Sequence, residues 1–313
     1  MENFSLDFKN TKLFKNLQNQ ILNGNLSHAT LISSPDEMSL SCFTNLLANM
    51  LMCNKVCGEC ENCIKIKSNT HPDVLRYPKG KTFLVSDALD IVENAFKKPI
   101  LSDIKVFIIN GVDQSVAGQN KILKILEEPP KNVFFILSTT NTKTVLDTIM
   151  SRVQSYSLAP FNQEELSQIL SFHNIEASKN VIAFSEGYLG KAVLLSQNLK
   201  FDEIFDFVKN IFTQLKSSKD IVNYSKQLAD KENFQLELEL LFFLYRQALY
   251  FINNQKTTYI DIDFASLNLN NNMISQILKR LCEAEKALYA NVNLNLICDN
   301  LLLHILEEKY LWK

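Results

Sequence analysis

Glycine is scarce in this chain: seven residues of 313, about a third of the usual share. Loops that wrap phosphate groups in backbone N–H donors are built on glycine, so few places in the sequence can form one. An excess of one charge is missing too. The net charge of −2 excludes a protein that holds nucleic acid through its overall charge, leaving only a local basic face open. In the C-terminal half the longest apolar run, Leu240 to Tyr245, is far short of the ~20 residues that span a bilayer. Met1 to Asn10 has no basic stretch followed by an apolar block, so no secretory signal is expected. These absences predict a cytoplasmic protein that makes no use of a membrane.

The rest of the composition is ordinary for a globular protein, with 46% hydrophobic and 21% charged residues. The length exceeds what one core usually serves, so two or three domains are expected. Val106 to Asn110 and Val133 to Ser138 are short apolar runs rich in β-branched and aromatic residues, as in buried strands of a parallel sheet. Ala29 to Ser33 is a weaker third. Amphipathic helical stretches such as Leu40 to Met52 and Gly118 to Glu128 lie around them, which predicts an α/β domain over residues 1–160. Beyond Pro160 the strand signals nearly stop. Helical spacing recurs at Leu166, Ile169 and Leu170, and at Val181, Phe184 and Ser185 before a break at Gly187. It continues through Phe205, Val208 and Phe212, then Leu236 to Leu244, then Ile274 to Leu281. We therefore expect a small helical domain over 161–205 and a larger one over 206–313.

Four of the seven cysteines fall in eleven residues, as Cys53-x3-Cys57-x2-Cys60-x2-Cys63. In a reducing compartment such crowding favours a metal over disulfides. Zinc takes four ligands tetrahedrally, and a Cys-x2-Cys turn presents two thiolates. Gly58 suits the positive φ of such a knuckle. Four unrelated thiols, or a redox pair, are the other readings. His71 is a further conceivable ligand, but a His-Pro turn explains it more simply. With four cysteines bound, no coordination position stays open, so the zinc is expected to be structural.

Apolar residues before Ser34, an eight-residue turn and then a helix mark where a P-loop would sit. The pattern Gly-x4-Gly-Lys-Ser/Thr falls here on Ser34, Pro35, Asp36, Glu37, Met38, Ser39, Leu40 and Ser41. Both glycines are replaced by serine and the lysine by Leu40; only the hydroxyl of Ser41 remains. Asp36 and Glu37 add negative charge where phosphate would lie. After the strand at Val106 to Ile109 come Asn110 and Gly111, neither an anionic ligand for Mg²⁺, and Asp113 is three positions beyond. No bound ATP is expected.

Asn120 to Pro130 (NKILKILEEPP), the strand that follows it and Ser138-Thr139-Thr140 resemble the clamp-loader branch of the AAA+ family. His71-Pro72-Asp73, Thr148 to Val153 (TIMSRV) and Gly187 to Ala192 (GYLGKA) are similar to its other motifs, so the likeness runs across about residues 28–195. Two departures stand out. The first cysteine gap is shorter than usual for the family, and Val153 replaces the cysteine of a Ser-Arg-Cys motif. The resemblance implies an AAA+ type parallel-sheet domain carrying a zinc knuckle, followed by a small helical lid and an all-α collar. It also implies assembly with the gamma/tau motor subunits and a delta subunit of DNA polymerase III in a hetero-pentameric ring. That ring loads a sliding clamp on primer-template DNA. A zinc knuckle without an ATP site selects the subunit type that does not hydrolyse ATP itself. Arg152 then corresponds to the arginine that reaches a neighbour's ATP in trans, an effect worth roughly 10³ to 10⁵ in rate.

Two further readings stay open: a gamma-type ATPase that binds nucleotide in another way, and a stand-alone zinc module for nucleic acid. Glu127 and Glu128 suggest an acid/base pair, but their place before Pro129-Pro130 favours a structural role. Lys121 and Lys124 share a helix face that suits either phosphates or solvent. Ser138 to Asn141 is expected to serve packing or an interface.

Overall fold

The computed structural model describes residues 4–258 and 260–310. They form two compact units. Of these residues, the first unit holds those up to 161 together with 171–173 and 188–191, and the second holds the rest.

Five parallel strands build the first unit: β1 (Ala29–Ser33), β2 (Val74–Tyr77), β3 (Lys105–Ile109), β4 (Val133–Thr139) and β5 (Gln154–Ser157), in the spatial order β2-β3-β4-β1-β5. The pairing register runs Ala29↔Phe135 and Phe107↔Phe135 through the centre. The three interior strands are those the apolar runs predicted, because strands covered on both faces must be apolar throughout. The two not singled out are edges. β2 carries Arg76 and β5 is the polar QSYS, each hydrogen-bonded to one neighbour only. Helices α1 (Lys12–Leu22), α2 (Glu37–Met52), α3 (Glu61–Lys67), α4 (Val85–Ala95), α5 (Val116–Glu127) and α6 (Asp147–Met150) connect or cover the strands. Phe107 and Phe135 stack at 5.3 Å, and α4 and α5 close over them through Ala88, Ile91, Ile122 and Leu126.

From α7 (Gln163–Phe172) onward, every described element is helical. These are α8 (Lys179–Ser185), α9 (Leu189–Ser196), α10 (Phe201–Gln214), α11 (Ser218–Leu228), α12 (Phe234–Ile252), α13 (Asn271–Tyr289) and α14 (Leu294–Tyr310), with a 3-10 turn at Phe264–Leu267. One core fills the second unit, from Val181 and Phe184 through Phe205, Phe212 and Leu244 to Leu306. Among the described residues no helix is long and apolar enough to cross a membrane.

Candidate functional site

Ligands of open parallel sheets bind beyond the carboxyl ends of the strands. In this sheet the ends of β1, β4 and β3 lie side by side, bringing Ser34, Ser138 and Asn110 together. The Ser34 N–H donates to the Thr139 carbonyl at 3.2 Å, and the Ser138 hydroxyl donates to Asn110 Oδ1 at 2.8 Å. Thr44 of α2 contributes a second donor to the same oxygen at 3.4 Å. At the position where an ATPase places an acid toward Mg²⁺, the amide of Asn110 is thus engaged by its own neighbours. Gly111 adopts φ +65°, and a Cβ there would meet Gln114 Cδ at 2.6 Å. That glycine serves the turn. Asp113 pairs with the Thr144 hydroxyl at 3.4 Å, on the neighbouring loop.

The expected eight-residue turn is not formed. Only Ser34, Pro35 and Asp36 separate β1 from α2, which begins at Glu37. Without glycine the backbone has no reason to open into a loop, and Met38 to Ser41 continue a helix. Leu40 is buried in the core rather than turned to the site. The Asp36 carboxylate, read from sequence only as repulsive, here accepts hydrogen bonds from the Ser39 hydroxyl and, at 2.8 Å, from the backbone N–H of Gly190 at the start of α9. A Cβ on Gly190 would press on the Asp36 carboxylate and come within 2.7 Å of Met38 Cβ. The chain places its own carboxylate against a helix N-terminus, a position that favours negative charge. No sequence signal joins Asp36 to a residue 154 positions away.

The four cysteines do converge. Their sulfurs all lie within 4.8 Å of one another, with Cys53–Cys57 at 3.8 Å and Cys57–Cys63 at 3.9 Å. Sulfurs about 2.3 Å from a tetrahedral zinc stand about 3.8 Å apart, so the donor set fits that ion. The Cys57 thiol is pushed down to about 6 by the backbone N–H groups of Glu59 and Cys60, while burial pushes Cys63 up to about 12. Gly58 at φ +82° and Val56 at φ +45° make the tight turns; for β-branched Val56 that conformation is strained. His71 is not among the ligands. Its Nδ1 accepts from the Asp73 N–H at 3.1 Å, and its Nε2 lies 3.3 Å from Asn62 Oδ1. Asp73, wholly buried, accepts the N–H groups of Ile100, Leu101 and Ser102 at 2.6–2.8 Å. The His-Pro-Asp segment is therefore a loop clamp.

Arg152 follows α6. Its Nη1 donates to the Thr148 carbonyl at 2.9 Å and the Ser151 hydroxyl at 3.3 Å, and its Nη2 pairs with Glu127 Oε2 at 3.1 Å. Glu127 closes α5. Lys121 and Lys124 are exposed on the same helix, and Ser138 is buried.

The fold and these features define a five-stranded parallel-sheet domain whose strand ends are engaged by its own side chains and which carries a four-cysteine knuckle. Residues 9–162 match the family model described as DNA polymerase III, delta subunit. A delta' subunit of DNA polymerase III from Bacillus subtilis is 28% identical over 95% of this chain and 96% of its own length. One from Haemophilus influenzae is 27% identical over 68% of this chain and 67% of its own. A tau/gamma subunit of that organism is 32% identical, over 50% of this chain and 23% of its own. Along its length the chain is thus similar to DNA polymerase III delta' subunits, and over residues 9–162 to the family described as DNA polymerase III, delta subunit.

Proposed function

We propose that this chain is the clamp-loader subunit that does not hydrolyse ATP itself. It joins gamma/tau and delta subunits in a hetero-pentameric ring and supplies Arg152 in trans to a neighbouring ATP. The observation that carries this reading is the closed nucleotide end. Ser34, Ser39 and Leu40 cannot cradle phosphate, Asn110 and Gly111 cannot hold Mg²⁺, and Asp36 fills the anion position before Gly190. A ring member of this kind positions the motor subunits on the sliding clamp and primer-template DNA and completes one of their sites. Residues 161–205 serve as the lid and 206–313 as the collar through which the ring assembles. Cys53, Cys57, Cys60 and Cys63 hold a structural zinc, which stabilises the knuckle between α2 and α3. The similarity to tau/gamma subunits supports a second reading, an ATPase of that type, against which the same residues argue.

Arg152 is suited to its role because a guanidinium is always charged and donates several bonds to phosphate oxygens. In a loader reconstituted with Arg152→Ala, ATP hydrolysis stimulated by clamp and DNA falls by roughly 10³ or more at that one site, while the ring still assembles. Rates indistinguishable from the native chain would remove the finger and leave a scaffold.

A further inference from the structure

The guanidinium of Arg152 is not extended into solvent. It lies back on its own domain with 29% of the side chain exposed, held on one arm by Glu127, itself 59% exposed. The hold is incomplete. Nη2 meets a single carboxylate oxygen at 3.1 Å, and Nε is buried with no partner among the described residues. A carboxylate that used the arginine fork fully would take two parallel bonds, and here only one is made. Glu127 is also the last residue of α5, beside Glu128 and ahead of Pro129-Pro130. Negative charge at the carboxyl end of a helix opposes the helix dipole, so helix stability does not explain an acid at this place. The nearby cation does.

We propose that Glu127 is a positioning residue that parks Arg152 on its own subunit until phosphate oxygens of a neighbour's nucleotide compete for the same guanidinium. This deepens the arginine-finger reading above and rests on it. A phosphoryl group offers three oxygens to the guanidinium, whereas Glu127 engages it through one, the other arm resting on the Thr148 carbonyl and the Ser151 hydroxyl. Because exposed ion pairs are weak, the restraint sets a threshold for engagement and leaves the engaged state unaltered. Glu127 therefore restrains hydrolysis chiefly when clamp and DNA are absent, before the ring closes around the site.

The test compares loaders reconstituted with the native chain, Glu127→Gln, Arg152→Ala and the double variant, each assayed across ATP concentration with and without clamp and primed DNA. With Glu127→Gln, kcat without clamp and DNA should rise about two- to five-fold, the gain set by the worth of an exposed ion pair. KM should stay within about two-fold, because the motor subunit's own nucleotide contacts are untouched. The stimulated rate should hardly change, and the rise should vanish in the double variant. An unchanged or lower unstimulated rate with Glu127→Gln, while Arg152→Ala still depresses the stimulated rate, overturns the parking role alone. A rise that persists in the double variant overturns it as well, since Glu127 would then act through another group. If Arg152→Ala is silent, the finger reading fails and the parking role falls with it.

Discussion

Glu237 sits on α12 with 4% of its surface exposed, and its Oε2 is buried with no partner among the described residues. Burial, reinforced by the charge of Asp230, pushes its carboxyl up to about 8. The folded chain therefore keeps this proton over a range where the unfolded chain, near 4.5, has released it. A raised folded pKa contributes stability that is complete below about 4.5 and is lost as pH rises toward 8. The expected slope within that window is up to about 1.4 kcal/mol per pH unit. Glu237→Gln keeps the shape and removes the titration. Denaturant melts from pH 5 to 8.5 should show the native chain losing stability against the variant with rising pH. Parallel curves would mean that Glu237 is already ionised in the folded chain. None of this was legible in the sequence, where Glu237 is one acid in a helix whose period concerns Leu236, Leu240, Phe243 and Leu244. At the erased P-loop, by contrast, the lost lysine and glycines were readable one residue at a time, because that chemistry depends on residue type at fixed spacing. The use of Asp36 as the replacement anion was not, since its partner Gly190 arrives through the fold.

The cysteine knuckle packs on the rest of the domain at few points, chiefly through buried Val56, Cys63 and Ile66. Helix α3 has seven residues, well under the ~12–15 that make even a good isolated helix marginal in water, and Cys57, Gly58 and Glu59 are exposed. Strained Val56 and the left-handed Gly58 call for a restraint that four thiolates on one ion would supply. The purified chain should carry one zinc, measured by elemental analysis, and Cys60→Ser or a strong chelator should lower its melting temperature and open residues 53–67 to protease. A chain without metal that resists protease there would make the cluster a set of free thiols. At this scale the sequence was most informative where burial is uniform: β1, β3 and β4 announce themselves as apolar runs. Edge strands β2 and β5 stayed hidden because Arg76 and the polar Gln154 to Ser157 satisfy the strand pattern on one side only. Helix α2 also starts earlier, at Glu37, than the helical pattern from Leu40 suggests. The P-loop spacing suggested an open turn, and the absence of the glycines that would open it decided otherwise.

Across the whole chain, the distinction between the two clamp-loader readings reduces to whether nucleotide binds. The chain is similar to both delta' and tau/gamma subunits, so the occupants of the three strand ends carry the distinction. Asn110 Oδ1 is taken by Ser138 and Thr44, Leu40 is in the core, and Asp36 meets the N–H of Gly190. A nucleotide entering would have to displace Asp36 from two donors and bring its phosphates beside the displaced carboxylate without a lysine to offset the charge. A ligand present at 100 times its Kd stabilises a folded chain by about 2.7 kcal/mol, which raises the melting temperature of a chain of a few hundred residues by roughly 5–10 °C. The isolated chain is expected to shift by less than about 1 °C in millimolar ATP and Mg²⁺, because occupancy stays far below what tight binding gives. A shift of several degrees would show that the closed strand ends can open, and would move the chain to the gamma-type ATPase reading.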